Sequence, residues 1–581
     1  MGRKSRNKII IIIIIFFILC FITLSHHLYR YAHNSPRLFF SLSSENNLFS
    51  PPPPYFLSPP PPPPPYFLSP PTPPPESQPQ PITTVEIPSQ STALLSTVAI
   101  LIPDWEVLVI VPPESTLIPP LENNYLCVFP DKSSPPAKFA GKLPFNGGYA
   151  FKCEFPASNR RRLPFFQPSL VRTEERENFV RKIIPSPKVL LRWNFIVYDS
   201  FTTENDVVLF VKGVNNRQGV NRPPSDFRCV FGDDPLTAVR TSVTSSVQEV
   251  FRCNRPEITG NRPMSVTVEI LENDRTVVMI PSLARFFPDI RRTIVQSERK
   301  SQLCACTMVY NVGKFLREWV MFHSKIGVEK FILYDNDSDD NLGAQVESLI
   351  NEGYDVRIVY WVWPKAQEAG FSHCALYSAQ ISDWAAFIDV DEFFLSPTWL
   401  ESRQPSTNML RSLLPKEPEL ERVGQVSIRC NEFGPSDQVV HPIEGVTQGY
   451  TCRIRVDQRH KSIVYLPAID DSLLNVIHHF KIKDGYNSIQ IGTSQAIVNH
   501  YKYQAWPEFR AKFRRRVSAY VIDWRQNLNP RSNDRAPGLG FEPIEPPGWA
   551  QRFCEVRDEK MKVLTRRWFG VSESTMAWQS G

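Results

Sequence analysis

The chain has little net charge for its length. Its 581 residues include 65 Lys and Arg against 59 Asp and Glu, a formal charge of +6. Nucleic-acid-binding proteins usually carry a clear basic excess, and no DNA- or RNA-binding signature is present, so we predict no nucleic-acid partner. Cysteine is also sparse, with 11 residues spread along the chain, which excludes a small disulfide scaffold but permits several bridges.

Apolar residues are abundant enough to build a core. They make up 42% of the chain, a fraction that excludes global disorder. The length exceeds the roughly 100–200 residues of an ordinary domain. We therefore expect several domains.

The N-terminus combines a basic flank, residues 1–8, with the uncharged run Ile9–Leu24. The residues that follow make a poor signal-peptidase site, so we predict an uncleaved signal anchor over 9–28. The basic flank should stay cytosolic, giving a single-pass type II membrane protein with a lumenal remainder. A 16-residue run rises about 24 Å, which suits the thinner early secretory membranes.

Residues 29–97 are predicted to form a proline-rich stem. Of the 55 prolines, 18 lie between Pro51 and Pro81, and such tracts form extended, semi-rigid spacers. Ser50 and Ser58 each precede a proline run, as in extensin-type plant wall proteins, which suggests a plant source. Hydroxyproline glycosylation and an unmodified spacer both stay open.

Residues 98–298 are predicted to form a β-rich, sandwich-like domain with an internal repeat. The repeated positions, offset by 100–102 residues, are Val107–Val111 and Val207–Val211, Cys127 and Cys229, and Cys153 and Cys253. In an oxidising lumen we predict the disulfides Cys127–Cys153 and Cys229–Cys253, each closing a hairpin within one sheet-based unit.

Within residues 299–570, strand and helix patterns alternate. The predicted strands are Leu303–Tyr310, Phe331–Tyr334, Val356–Trp363 and Trp384–Ile388. The predicted helices are Lys314–Ile326, Leu342–Ile350 and Ala366–Ser382. This order indicates an α/β domain with a mostly parallel sheet covered by helices, in which ligands bind beyond the carboxyl ends of the strands.

Two carboxylates, Asp389 and Asp391, follow the fourth predicted strand. On an extended chain they would lie on the same side, and such a pair is costly unless a cation joins it. Mg²⁺ and Mn²⁺ prefer oxygen ligands of this kind. We predict a metal site here, with capping of the next turn as the alternative.

Polar residues also follow the first two strands. Tyr310 and Asn311 precede a helix N-terminus, and Asp335 follows the second strand. A helix N-terminus attracts phosphate, so we predict donor-binding roles for these three residues. Ordinary turn chemistry is the alternative.

Together these motifs resemble glycosyltransferase family 92. The matching segments are Cys306–Asn311, Glu318–Val320, His323, Ile326–Glu329, Tyr334–Asn336, Ala386–Phe393 and Asn499–Tyr501. The family is named for a domain of animal and plant galactosyltransferases, including the plant β-1,4-galactan synthases. Those synthases also carry a β-rich, carbohydrate-binding-like module before the transferase domain, in a position similar to residues 98–298.

The resemblance implies a GT-A (Rossmann-like) fold and a Golgi enzyme that moves a sugar, with galactose expected, from a UDP-sugar to a glycan acceptor. It implies inversion at the anomeric carbon and a Mn²⁺ or Mg²⁺ cofactor. It assigns Asp389 and Asp391 as catalytic, metal-binding residues and adds His500 as a ligand. The candidates left open for the general base are Glu432, Glu444, Asp470 and Asp471.

Other features allow more than one interpretation. A catalytically inactive glycan-binding or scaffolding membrane protein is the alternative function, and homo-oligomer formation stays open. His478-His479 and the basic run Arg510–Arg516 could contact sugar or phosphate, or be structural. The single sequon, Asn336-Asp-Ser338, is expected to stay unmodified. The cysteines whose pairing stays open are Cys304, Cys306, Cys374, Cys430, Cys452 and Cys554.

Overall fold

The structure is a computed structural model of the whole chain. It describes residues 97–112, 124–144, 147–161, 163–181, 188–215, 221–234, 236–258, 262–273, 275–288, 300–476, 478–512, 538–539 and 542–580. All of these belong to one compact unit, Ser89–Gly581. The predicted anchor, and residues 29–96 of the predicted stem, lie outside the described residues. Within the described ranges, no helix is long and apolar enough to cross a membrane.

The first β module is a seven-stranded sheet. Its elements are β1 (Val98–Ile102), β2 (Glu106–Val111), β3 (Tyr125–Val128), β4 (Pro136–Lys142), β5 (Tyr149–Glu154), β6 (Ser169–Arg172), helix α1 (Arg176–Arg181) and β7 (Leu191–Arg192). The strand order is β6-β3-β4-β5-β2-β1-β7.

The second β module repeats this arrangement. Its strands are β8 (Ile196–Thr202), β9 (Asp206–Lys212), β10 (Phe227–Phe231), β11 (Val239–Val247), β12 (Val250–Asn254), β13 (Met264–Glu272), β14 (Arg275–Met279) and β15 (Arg285–Phe286). Their order is β14-β13-β10-β11-β12-β9-β8, with β15 beside β13. The six strands β13-β10-β11-β12-β9-β8 match the order β6-β3-β4-β5-β2-β1 of the first module. The repeat read from the sequence is therefore a repeat of structure.

Both predicted disulfides of the modules are confirmed, as Cys127–Cys153 and Cys229–Cys253. The predicted hairpins are wrong, because β4 lies between the bonded strands β3 and β5, and β11 between β10 and β12. Each middle strand pairs first with one cysteine-bearing strand and then with the other. The single sheet-based unit is also wrong, since each module has its own apolar core around its disulfide.

The α/β part follows in chain order. Its helices are α2 (Gly313–Ile326), α3 (Leu342–Asn351), α4 (Gln367–Ser378), α5 (Pro418–Glu421), α6 (Val446–Gly449), α7 (Trp506–Ala511) and α8 (Lys560–Phe569). Its strands are β16 (Ser301–Val309), β17 (Lys330–Asp335), β18 (Asp355–Tyr360), β19 (Ser382–Phe387), β20 (Glu392–Leu395), β21 (Val423–Glu432), β22 (Cys452–Arg453), β23 (Gln458–Tyr465), β24 (Asn475–Val476), β25 (His479–Phe480), β26 (Asn487–Gln490), β27 (Ile497–His500), β28 (Gly538–Leu539), β29 (Glu542–Pro543) and β30 (Val556–Arg557).

The main sheet has the order β18-β17-β16-β19-β23-β21-β27-β20, with β26 beside β21. The four strands predicted from the sequence, β16 to β19, pair in parallel. The predicted parallel sheet is confirmed over these four strands. Strand β23 then pairs antiparallel with β19, so the complete sheet is mixed. The chain runs outward from β16 to β18 and returns on the other side at β19. Ligands bind such α/β sheets at this kind of switch point.

Helix α2 illustrates how the apolar pattern builds the core. Phe315, Trp319, Phe322 and Ile326 lie on one face and are at most 2% exposed. The helix ends at Gly327, whose φ of +122° suits glycine and whose N–H donates to His323 O. The last helical residue is therefore Ile326, where the predicted range Lys314–Ile326 also ends.

The β modules and the α/β sheet share one apolar core. Leu108 of the first module, Phe210 of the second and Trp361 after β18 belong to the same buried cluster. Ring centroids of Tyr198 and Trp363 lie 4.9 Å apart across this contact. The modules are therefore packed against the sheet.

The cysteines of the α/β part divide into two bonds and two buried thiols. The bonds are Cys306–Cys374 and Cys452–Cys554, and the thiols are Cys304 and Cys430. The first bond joins β16 to α4. That helix also contains Gly370, where a Cβ would lie 2.6 Å from Cε, the flexible end of the Met308 side chain.

Candidate active site

The candidate site lies where β19 ends beside β16. Strand β19 stops at Phe387, a turn follows, and β20 begins at Glu392. Asp389 and Asp391 therefore lie in a turn and not on one extended strand, so the alternation argument for a shared side does not apply. Their carboxylates have different partners.

Asp391, Glu392 and His500 form the cluster most suited to a cation. One ligand atom of each lies within 4.8 Å of the others, and this is the single such group of three among the described residues. Strands β20 and β27 pair Glu392 directly with His500. His500 Nε2 is 3.8 Å from Asp391 Oδ1, and its Nδ1 is 3.5 Å from Glu392 Oε1.

Backbone contacts fix the turn that carries these carboxylates. The Asp389 N–H donates to Glu392 Oε2 at 2.9 Å, and the Trp319 indole N–H donates to Glu392 O at 3.1 Å. The Tyr501 N–H donates to Asp391 O at 2.8 Å. Because α2 and β27 both hold the turn, the carboxylates are positioned before any ligand binds.

Asp389 is held by a lysine and a histidine of the protein itself. Its Oδ2 lies 3.0 Å from Lys461 Nζ and 3.4 Å from His478 Nε2. Burial alone would raise the pKa of Asp389, but Lys461 and His478 bring it well below its ordinary value. Lys461 Nζ also lies 2.6 Å from Glu392 Oε1, so one buried ammonium joins two carboxylates.

The protonation state of His500 suits a metal centre. Burial lowers the pKa of His500 to about 3, which leaves the neutral imidazole that can ligate a metal. Burial and the neighbouring carboxylates raise the pKa of Glu392 to about 8, against the opposing effect of Lys461. Glu392 must lose its proton to bind a metal. With Glu392 deprotonated, two carboxylates and one imidazole match the ligands that Mn²⁺ accepts, so these residues fit a divalent ion.

Two further lysines surround the cluster. Lys512 Nζ lies 3.2 Å from Asp391 Oδ2 and 5.3 Å from the centroid of the Phe315 ring. Lys502 Nζ lies 2.9 and 3.0 Å from the two carboxylate oxygens of Glu432. These contacts place a strongly charged, partly buried network at the sheet edge.

Glu432 is the candidate general base that lies beside the cluster. Strands β21 and β27 pair it with His500, but it is fully buried and held by Lys502. Because Glu432 is buried and paired with Lys502, its contacts favour a role in balancing the charge of that lysine over a role as the general base. The other candidates hold ion pairs elsewhere: Glu444 with Arg566, Asp470 with Lys481, and Asp471 with Lys483.

The predicted donor-binding residues lie at the ends of β16 and β17. Asn311 exchanges hydrogen bonds with Asp339, donating through Nδ2 and accepting through Oδ1. Asp335 Oδ1 accepts from the Ser338 N–H at 2.9 Å. Tyr310 is half-buried beside them. Donor contacts by these residues stay a prediction.

The N-terminus of α2 already has an anionic partner. The Gly313 N–H donates to Asp340 Oδ2 at 2.8 Å. A carboxylate therefore takes the place that the sequence suggested for a nucleotide phosphate. A Cβ at Gly313 would lie 2.5 Å from Asn341 Oδ1, so a larger residue would have to displace that side chain.

Two other motifs resolve into structural contacts. Asn336 Nδ2, the atom that a glycan would modify, donates to Trp361 O at 2.6 Å and to Trp363 O at 3.2 Å. These bonds support the expectation of an unmodified sequon. His479 Nε2 lies 2.5 Å from His460 Nδ1.

Sequence reasoning missed Glu392 as a cluster member and Lys461 as the counter-ion of Asp389. Glu392 follows Asp391 directly, and its acidic character next to the aspartates was the available signal. Lys461 lies 72 residues from Asp389, and no local pattern links the two. His478 was recognised only as an open alternative.

Comparison with known proteins shows the family to which the chain belongs. The family model for glycosyltransferase family 92 matches residues 299–532. A family 92 protein of Arabidopsis thaliana is 43% identical over 379 residues, covering 64% of this chain and 66% of that protein. Another from Oryza sativa subsp. japonica is 39% identical over 402 residues, covering 66% and 68%. The chain belongs to glycosyltransferase family 92.

Matches to solved structures have low identity and low TM-scores. A mannosyltransferase from Pyrobaculum calidifontis, in complex with GDP-Man and Mn²⁺, is 9% identical with a TM-score of 0.24, covering 42% of this chain and 72% of that one. A glucosyl-3-phosphoglycerate synthase from Mycobacterium tuberculosis, with Mn²⁺, UDP and phosphoglyceric acid, is 12% identical with a TM-score of 0.21, covering 45% and 91%.

Proposed function

We propose that this protein is a metal-dependent, inverting glycosyltransferase of the GT-A type that uses a UDP-sugar and a glycan acceptor. Family membership supports the reaction class. The observation that carries the proposal is the cluster of Asp391, Glu392 and His500 at the switch point of the sheet. Galactose is the first donor sugar to test, because the family includes galactosyltransferases.

The cluster supplies the ligands, and the lysines supply the charge balance. A divalent ion, Mn²⁺ or Mg²⁺, bound by Asp391, Glu392 and His500 would neutralise charge on the donor diphosphate. Lys512 contacts Asp391, so its ammonium lies within reach of an anionic donor bound there. Lys461 keeps Asp389 charged and in place. We assign Asp389 a positioning role toward this cluster, with direct metal binding as the outcome to test.

The test is a screen of UDP-sugars with purified protein, comparing Asp391→Asn with Asp484→Asn. Asp391 faces His500 and Lys512, whereas Asp484 is exposed on a loop. We expect Asp391→Asn to lose transfer and Mn²⁺ binding while its melting temperature changes little, and Asp484→Asn to keep both. Full activity of Asp391→Asn in chelator-treated buffer would exclude the metal mechanism.

The alternative, an inactive glycan-binding or scaffolding protein, makes a different prediction in the same screen. Wild-type protein would then turn over no UDP-sugar, with or without Mn²⁺, while still binding glycan. UDP-sugar hydrolysis in the absence of acceptor separates the two functions, because a catalytically inactive protein does not cleave the donor.

We further propose that the protein resides in the Golgi membrane in type II orientation. The support is the basic flank 1–8 followed by the uncharged run Ile9–Leu24 and a proline-rich stem. In this arrangement the stem, residues 29–97, separates the lumenal domains from the bilayer.

A further inference from the structure

The turn between β11 and β12 is unusual for a two-residue hairpin connection. Gln248 and Glu249 form it, and Gln248 has a φ of +53°. Such turns favour Gly, Asn or Asp, and they normally face solvent. Here Gln248 is 5% exposed and Glu249 is 8% exposed. A non-glycine residue persists in this conformation when surrounding contacts hold it.

Those contacts reach from the second β module into the α/β part. Gln248 Nε2 donates to Asn475 O at 2.8 Å, and the Asn475 N–H donates back to Gln248 Oε1 at 3.4 Å. Asn475 is fully buried. Its side-chain Nδ2 donates to Ser372 Oγ and Glu368 O of α4, each at 2.9 Å. Gln248 therefore joins the module to the start of β24.

The other turn residue is held from within the module. Glu249 accepts from Lys212 Nζ at 2.7 Å and from Tyr198 OH at 2.7 Å. The Tyr198 ring in turn packs 4.9 Å from Trp363 of the α/β part. The turn is thus fixed on both sides, and its position relative to β24 is set by the fold.

Strand β24 leads directly into the site. It pairs antiparallel with β25, and the turn between them carries His478. His478 Nε2 lies 2.6 Å from Lys461 Nζ and 3.4 Å from Asp389 Oδ2. Because His478 follows Asn475 by three residues, the contact that fixes Asn475 also limits where His478 can lie.

We propose that the second β module is a fixed support of the active site, and that Gln248 is a positioning residue for it. Gln248 holds Asn475, and through it the hairpin that places His478 against Lys461 and Asp389. This inference rests on the proposed function for its effect on catalysis. The mechanical part, a support of the hairpin by the module, stands without it.

The test compares Gln248→Ala with Asn215→Ala in the full-length protein. Asn215 is a matched control, because it makes a hydrogen bond to Ser246 Oγ at 2.9 Å within the same module. For Gln248→Ala we expect kcat to fall about tenfold with the donor KM within about twofold, the size of a typical coupling effect. Backbone hydrogen exchange over residues 475–480 should rise. Asn215→Ala should change neither.

Gln248→Met is the second variant, in case the alanine substitution prevents folding. It fills similar space and removes both hydrogen bonds to Asn475, so the same two effects should appear. Unchanged exchange over 475–480 in a folded Gln248 variant would overturn the proposal, as would an unchanged kcat in an active enzyme. If wild-type protein transfers no sugar, the proposed function fails. Faster hydrogen exchange over residues 475–480 in a Gln248 variant would still show that the module holds the hairpin in place.

Discussion

Replacing Lys461 with methionine tests the electrostatic account of the site. The ammonium lies 3.0 Å from Asp389 Oδ2 and 2.6 Å from Glu392 Oε1. Its side chain is 7% exposed, that of Glu392 is 0% exposed and that of Asp389 is 30% exposed. Methionine fills similar space without charge, so the substitution removes the cation and preserves much of the packing.

The expected loss of unfolding free energy is about 3 kcal/mol in metal-free buffer. Removing one partner of a buried ion pair typically costs about 3–5 kcal/mol. The lower end applies, because solvent screens the half-buried Asp389 and because Glu392, with a pKa already raised to about 8, can bind a proton. Denaturant titration followed by tryptophan fluorescence measures the loss.

Metal should restore part of this loss. A ligand at 100 times its dissociation constant stabilises the folded state by about 2.7 kcal/mol. Lys461→Met removes the ammonium that balances the charges of Asp389 and Glu392. Mn²⁺ should therefore stabilise Lys461→Met more than wild type. Lys483→Met is the control, because Lys483 is 43% exposed and lies 3.5 Å from the exposed Asp471, a pair of small expected effect. A loss below about 1 kcal/mol, or equal stabilisation of variant and wild type by Mn²⁺, would refute this account.

Two further predictions concern pH and topology. Burial raises the pKa of Asp199 from its ordinary value of 3.8 to about 8. Between these pH values the folded protein binds a proton that the unfolded chain has lost, so stability falls as pH rises. The Asp199→Asn variant cannot ionise and can still accept from the Ser200 N–H. The difference in melting temperature between this variant and wild type should therefore grow in favour of the variant from pH 5 to pH 8, and a constant difference would contradict the raised pKa of Asp199. In sealed microsomes, added protease should spare the chain beyond about residue 30, and digestion of residues 299–570 in intact vesicles would exclude the type II orientation.

The helices and strands with strong periodicity were predictable from the sequence. The buried face of α2 and the four parallel strands β16–β19 were anticipated from apolar spacing and turn residues. The module disulfides were anticipated too, because their cysteines are 26 and 24 residues apart and occur twice. The middle strands β4 and β11 were missed, since β4 alternates weakly and β11 is largely polar.

The site was predictable in part. Asp389, Asp391 and His500 were predicted as metal ligands, with His500 resting on the family resemblance. The structure brings Asp391 and His500 together, and their metal role stays a prediction. The sequence could not indicate that the strand ends at Phe387, because an apolar residue, Ile388, continues the pattern. That end turns Asp389 toward Lys461 and leaves Glu392 to join Asp391 and His500.

The sequence by itself determined which segments are apolar and which acidic residues follow the strands, because these properties depend on near neighbours. Only the tertiary structure decided the partners. Cys306 bonds Cys374 across 68 residues, Lys461 meets Asp389 across 72, and Gln248 meets Asn475 across 227. Burial raises the cost of an unpaired charge or amide wherever it lies in the chain. Periodicity indicates that a residue is buried. The packing of distant elements decides which group pairs with it.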